Sequence, residues 1–270
     1  MADSEEILQW YILGGVDEIY ADEPYNALAA ENKRPCEPAV VNQSRSPQVL
    51  YQTSAAAQRP ATTLLAQSNN SACNNAREVC AAAQSLEELK AVMERFEGCS
   101  LKFSANSTVF GYGSPHADVM LIGEAPGADE DMQGKPFVGR SGQLLTKMLA
   151  AIGLKREECY ITNILPWRPP GNRTPTNGEV AVCLPFLQRQ IELVRPKYIF
   201  LLGGSAANAV LDNAESISRL RGHVIDYKTS DGLIIPALAS FHPAYLLRTP
   251  QQKAKAWSDF LRLQRNLSEI

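Results

Sequence analysis

The sequence predicts an α/β protein, a three-layer α/β/α sandwich around a central, mostly parallel four-stranded sheet. Four short apolar runs alternate with stretches of helical period, and several of the helical stretches open on capping signals. Strands that alternate with helices build parallel βαβ units, and such a sheet is covered on both faces.

The compact domain starts near SLEELKAVMERF (85 to 96), where Ser85 stands as N-cap and Glu88 at the third helical position, as a capping box requires. The apolar runs are DVMLI (118 to 122), CYITNIL (159 to 165), YIFLL (198 to 202) and LIIPALASF (233 to 241). Helical period fills 142 to 152, 177 to 194, 205 to 213 and 250 to 267. Thr176 with Glu179 and Thr249 with Gln252 repeat the capping box, and Pro250 takes the favoured first helical position.

Composition divides the 270 residues unequally. The formal net charge is -3, which excludes a grossly basic nucleic-acid binder, yet residues 1 to 80 carry ten acids against five bases. Residues 81 to 270, with 19 acids and 21 bases, are mildly basic and are expected to form the compact, functional domain. Residues 1 to 34 include an acidic, aromatic stretch (4 to 20) that fits a short amphipathic helix bent at Gly14-Gly15. Residues 35 to 80 are expected to be a flexible linker, because Ala, Ser, Gln, Asn, Thr and Pro give too little large apolar surface to offset ordering entropy. The N-terminal segment is a candidate tether for a protein partner.

No apolar run approaches the roughly 18 residues of a membrane span, and the N-terminus is acidic where a secretory signal is basic. A cytoplasmic monomer with no membrane association is expected. Six cysteines (Cys36, Cys73, Cys80, Cys99, Cys159, Cys183) without a CxxC pair read as free thiols of a reducing compartment.

Ligands of an open parallel sheet sit beyond the carboxyl ends of its strands. Gly123, Glu124, Ala125, Pro126 and Gly127 follow the first run, the second runs into Thr162-Asn163 and WRPPGNR (167 to 173), Gly203-Gly204-Ser205 follow the third, and FHPAYLLR (241 to 248) ends the fourth. Each has a plainer reading: a tight turn for the glycines, a turn residue for Asn163, core for Phe137, a structural histidine for His242. Their convergence on one rim favours a site. The glycine loop lacks the lysine of a P-loop, which disfavours nucleoside triphosphates.

The segments GEAPGADEDMQGKPFVGRSGQLL, YITNILPWRPPGNRTPTNGE, CLPFLQRQ and FHPAYLLRTPQQK, in this order, resemble the uracil-DNA glycosylase superfamily, and most of all its iron-sulfur family four. The likeness covers roughly residues 99 to 265. It implies the fold above and excision of uracil from single- or double-stranded DNA by base flipping, leaving an abasic site for base excision repair. It also implies a site. Phe137 stacks on the flipped base and Asn163 reads its polar edge, over a floor of Gly123, Ala125, Pro126 and Gly127. Glu124 positions water or stabilises the cationic sugar, and His242 donates to the developing oxyanion at O2. Glu130 and Asp131 are second-choice polar residues of the pocket. Tyr245, Leu246 and Leu247 form a wedge in a loop (243 to 248), and Arg168, Arg173, Ser205 and Arg248 contact phosphates.

One departure stands out. The iron-sulfur family ligates its cluster with four cysteines, of which Cys99 and Cys183 are present, while Phe96 and Trp167 occupy the other two positions. Neither aromatic ligates iron, so no metal or other cofactor is expected. No lysine stands in a motif as a Schiff-base nucleophile, so strand cleavage is not expected. Two alternatives remain open: a glycosylase that also takes hypoxanthine or xanthine, and a catalytically silent module that binds uracil-containing DNA.

Overall fold

The computed structural model describes residues 61 to 268. The predicted N-terminal helix and residues 35 to 60 of the predicted linker lie outside the described residues. From residue 61 onward the linker expectation is corrected. Helix α1 spans Ala61–Ala82, and Cys73, Ala76 and Cys80 on it are buried, with Ala76 fully so. Its small residues allow close approach to a later helix, α5 (Asn177–Val194), so tight packing replaces large apolar area.

Helix α2 (Leu86–Arg95) begins at the predicted cap: Ser85 Oγ accepts from the Glu88 N–H at 3.1 Å. Glu88 returns to the Gln84 N–H, at 2.7 Å, rather than to Ser85. The remaining elements are β1 (Tyr112–Gly113), β2 (Val119–Gly123), α3 (Ala128–Gln133), α4 (Arg140–Ala151), β3 (Tyr160–Asn163), α5, β4 (Tyr198–Leu202), α6 (Gly204–Leu211), α7 (Ile217–Leu220), β5 (Val224–Lys228), β6 (Ile234–Ser240), α8 (Pro243–Arg248) and α9 (Lys253–Ser268).

The sheet has six strands rather than four, in the order β1-β3-β2-β4-β6-β5. The four predicted strands are its centre and run parallel, while β1 and β5 close the edges antiparallel. Neither edge strand has a legible pattern: β1 has two residues, and β5 (VIDYK) buries only Tyr227.

Side chains alternate across the central strands, which makes two cores. Met120 and Ile122 of β2, with Ile199 and Leu201 of β4, face α1, α2, α5 and α6. Val119 and Leu121, with Phe200 and Leu202, face α4 and α9, where Phe260 meets Phe200 edge to face at 4.8 Å between ring centroids. These are the three layers.

Helix α5 carries the full capping box: Thr176 Oγ accepts from the Glu179 N–H at 3.2 Å and Glu179 accepts from the Thr176 N–H at 2.8 Å. The box predicted at Thr249 does not form; a 3-10 turn (Pro250–Gln252) precedes α9, and Thr249 makes no side-chain cap. Residues 243 to 248, expected as a loop, are helix α8. His242 caps it by accepting the Ala244 N–H at Nδ1, and Pro243 takes the first position without losing a bond. No helix of the described residues is long and apolar enough to cross a membrane.

The corrected N-terminal boundary yields a test. Ala76→Asp, which buries a carboxylate against the domain, should lower the unfolding free energy by about 2 kcal/mol or more. Urea denaturation measures this; an unchanged midpoint would mean that α1 does not pack on the domain.

Candidate active site

The parallel register pairs Gly123, the last residue of β2, with Asn163, the last of β3. A Cβ on Gly123 would stand 2.5 Å from Asn163 Oδ1 and 2.6 Å from Phe137 Cζ. Only glycine lets the amide and the ring meet there. Asn163 is buried, and its Nδ2 has no hydrogen-bond partner among the described residues. A buried donor left unmade costs about 1 to 3 kcal/mol, so its persistence points to a ligand that satisfies it.

Phe137 reaches this position through a strained backbone, with φ of 53°. A bulky residue in the left-handed region costs about 1 to 3 kcal/mol and persists only where its surroundings fix it. Glu130 does much of the fixing. Its Oε1 accepts the N–H groups of Val138 (2.9 Å) and Gly139 (3.0 Å), and its Oε2 that of Gly127 (3.0 Å). Gly142 lies against the Phe137 carbonyl, where a Cβ would come within 1.8 Å, and the Arg156 guanidinium binds the Pro136 carbonyl.

The Phe137 and His242 rings lie 5.6 Å apart at 30°. His242 follows β6 and packs beside Gly203, whose φ of 97° and missing side chain make room for it; a Cβ there would be 3.1 Å from His242 Cβ. Because Nδ1 accepts the Ala244 N–H, the imidazole proton sits on Nε2. Burial, reinforced by the Arg248 charge and opposed by Glu130, holds the His242 pKa down at about 4. The ring is therefore a neutral donor at physiological pH.

Glu124 follows Gly123 and is half-buried. It lines a cavity of about 320 Å³ with Thr174, Asn177, Ser205 and Asn208. Gly123, Glu124, Phe137, Asn163 and His242 thus share the carboxyl edge of the sheet, with Ala125, Pro126 and Gly127 in the loop from β2 to α3.

Chain and model meet in a family match: the model of the uracil DNA glycosylase superfamily matches residues 110–261. The chain belongs to the uracil-DNA glycosylase superfamily. A Type-4 uracil-DNA glycosylase of Archaeoglobus fulgidus is 41% identical over 184 residues, covering 67% of this chain and 92% of that protein. One of Thermotoga maritima is 42% identical over 166 residues, 60% of this chain and 84% of that protein. A Type-5 uracil-DNA glycosylase of Pyrobaculum aerophilum is 33% identical over 152 residues, 50% of this chain and 65% of that protein.

The iron-sulfur cluster implied by family four does not fit the residues of this superfamily member. Cys183 donates to Cys99 across 3.8 Å between sulfurs, which lowers the Cys99 pKa and, with burial, raises that of Cys183. At the other two positions the Phe96 ring meets Phe186 edge to face at 5.1 Å, and the buried Trp167 donates from Nε1 to Thr108 Oγ at 3.0 Å. Two thiols and two packed aromatics are not the donor set of a four-thiolate cluster. Among the described residues, no three His, Cys, Asp or Glu side chains gather to hold a metal.

Several residues expected to contact base or DNA have partners within the chain. Glu130 is spent on backbone N–H groups rather than on a ligand, and Asp131 likewise binds the Asn106 N–H (2.8 Å), the Asn106 amide (2.7 Å) and the Ser107 N–H (3.1 Å). Arg173 makes a two-pronged bond to Glu179 at 2.9 and 2.6 Å, holding that carboxyl at about 2, so its charge is already matched. Arg168 donates to Asn172 at 2.7 Å. The wedge narrows, because successive helical residues point about 100° apart. Leu246 is fully buried with Phe241 and Ala256, Tyr245 packs on Phe241 at 5.2 Å, and Leu247 and Arg248 face outward. Ser205 is exposed in the first turn of α6. Arg156 escaped sequence reading, since a Lys-Arg-Glu-Glu run looks like plain surface.

Glu130→Gln keeps the shape but replaces one acceptor with a donor facing an N–H. It should lower the unfolding free energy by about 2 kcal/mol. A urea midpoint equal to wild type would show that the Phe137 loop does not depend on this carboxylate.

Proposed function

We propose that this chain is a monofunctional uracil-DNA glycosylase that hydrolyses the bond between uracil N1 and the deoxyribose and works without an iron-sulfur cluster. The unpartnered Asn163 Nδ2 beside Phe137 is the observation that carries the reading. A flipped uracil would stack on Phe137, present O4 to Nδ2–H and give N3–H to Oδ1. Stacking is worth about 1 to 3 kcal/mol and pairing the buried donor a similar amount, against a few kcal/mol for flipping. Cytosine carries a donor at position 4 and an acceptor at N3. With the amide confined between Gly123 and Phe137, it would leave buried groups mismatched.

As the bond from N1 to the sugar breaks, its electron pair moves onto the base and positive character builds on the sugar. His242 Nε2–H would donate to O2, where negative charge collects, at no cost of reorganisation. Glu124 would face the sugar cation and orient the water that adds to C1′, its proton passing to solvent or to the carboxylate. The product is an abasic site and free uracil. Leu247 and Arg248 are the outward residues of α8 suited to enter and grip the duplex.

Single-turnover release of base from uracil-containing oligonucleotides, with chelator present, tests the reading. Wild type should release uracil and Glu124→Gln should slow release by about 10² or more. Tight binding with no release would make the chain a recognition module.

The histidine has its own signature. Protonation at Nδ1 abolishes the acceptor for the Ala244 N–H and so displaces the ring. The excision rate should therefore run flat through 6.5, where an ordinary histidine titrates, and fall only as pH approaches about 4. Stability follows the same sign: from 6.5 down to about 4 the unfolded chain takes up a proton that the folded His242 refuses, so folding weakens over that window. A rate profile breaking near 6.5 in wild type, unchanged by His242→Ala, would remove the histidine from the mechanism.

A further inference from the structure

Asp259, on α9, has a carboxylate almost wholly removed from water, at 1% exposure. It accepts three hydrogen bonds from two residues. Ser240 Oγ–H donates to Oδ2 at 2.7 Å, Arg221 Nε to Oδ2 at 3.1 Å, and Arg221 Nη2 to Oδ1 at 2.8 Å. Arg221, the residue that caps α7, also binds the Lys255 carbonyl and lays its guanidinium over the Phe241 ring, 5.4 Å from the centroid. The end of α7, the end of β6 and the middle of α9 are thereby tied together at residues 240 and 241. His242 is the next residue.

Opposite the network, the Gly203 N–H donates to the Ser240 carbonyl at 2.8 Å, and Gly203 itself lies against the His242 side chain. Strand β6 is thus gripped on both sides one or two residues before the imidazole. We infer that the Arg221–Asp259 pair, acting through Ser240 and Phe241, is a positioning element that sets where His242 presents its Nε2–H. This assignment rests on the proposed role of His242 as donor.

An ion pair with its carboxylate buried and its guanidinium half-buried is a poor choice for stability alone. Burial raises the Asp259 pKa against the pull of Ser240 and Arg221, and apolar residues of similar volume commonly replace such pairs without loss. What apolar packing does not supply is direction. The Ser240 bond and the guanidinium over Phe241 tie the strand end to a carboxylate that Arg221 holds in a fixed orientation, and misplacement of a donor by about 1 Å costs on the order of 10² in rate.

That difference separates positioning from plain structure. The triple variant Arg221→Met, Asp259→Leu, Ser240→Ala removes the network while keeping its volume. It should melt at or above wild type and bind uracil-containing DNA equally well, yet release uracil about tenfold or more slowly in single turnover. The His242 imidazole, one of three histidines and so resolvable by NMR, provides a readout besides activity. Its pKa should climb from about 4 toward 6.5 as water reaches the loosened strand end, with Arg248 and Glu130 still the charges facing it. If the triple variant does not fold, Ser240→Ala alone decides, since it deletes one hydroxyl, leaves the ion pair and should move rate and titration in the same directions. A folded variant with wild-type rate and wild-type His242 titration overturns the assignment, as does a rate loss matched by loss of DNA affinity. His242→Ala, assayed alongside, keeps the two readings apart: excision at the wild-type rate there would defeat the donor role itself, while the NMR titration would still report whether the network holds the ring.

Discussion

Everything at the site hangs on the shared direction and register of four strands. With β3, β2, β4 and β6 parallel, Gly123, Asn163, Gly203 and His242 all stand at the carboxyl edge, each at or just past the end of its strand. The register cannot drift, because the side-chain period of a strand is two and a shift of one residue would exchange its two faces. Such a shift in β2 would move Met120 and Ile122 out of one core and Val119 and Leu121 out of the other. The apolar packing that stabilises the sheet is therefore also what aims the Asn163 amide at the space beside Gly123.

The same physics explains what was legible in the sequence. The central strands are buried on both faces and read as unbroken apolar runs, and α5 announces itself through Thr176 and Glu179, so both were visible within a residue or two. Helix α1 was not, since its contacts are made by Cys73, Ala76 and Cys80, whose smallness looks like low complexity until a partner surface is present. Helix α8 hid for another reason: a histidine is an unusual cap, and Pro243 suggested a turn. Among site residues, Gly123, Asn163, Phe137 and His242 could be named from motif order. The purpose of Glu130 could not, because its partners are backbone N–H groups brought near only by folding.

At the positions of the four family-four cysteines, this chain has a hydrophobic contact. Phe96, Trp167, Cys99 and Cys183 belong to one apolar cluster with Phe186 and with Cys73 of α1. Ligand bonds join a few atoms rigidly, whereas packed rings distribute attraction over many weak contacts. The segment around Trp167, which leads from Asn163 toward Arg168 and Arg173, is thus anchored by shape, together with one indole hydrogen bond to Thr108.

The vacant hydrogen-bonding capacity of Asn163 has a consequence at the other end of the reaction. On the proposed reading, the group that rewards capture of the base is paired just as well after the glycosidic bond has broken, since free uracil keeps O4 and N3–H. Departure of the base gives up that pairing, so the contact that favours capture also slows release. On that reading, capture of the flipped base and retention of free uracil share the Asn163 contact, and a tighter grip on the one brings a tighter grip on the other.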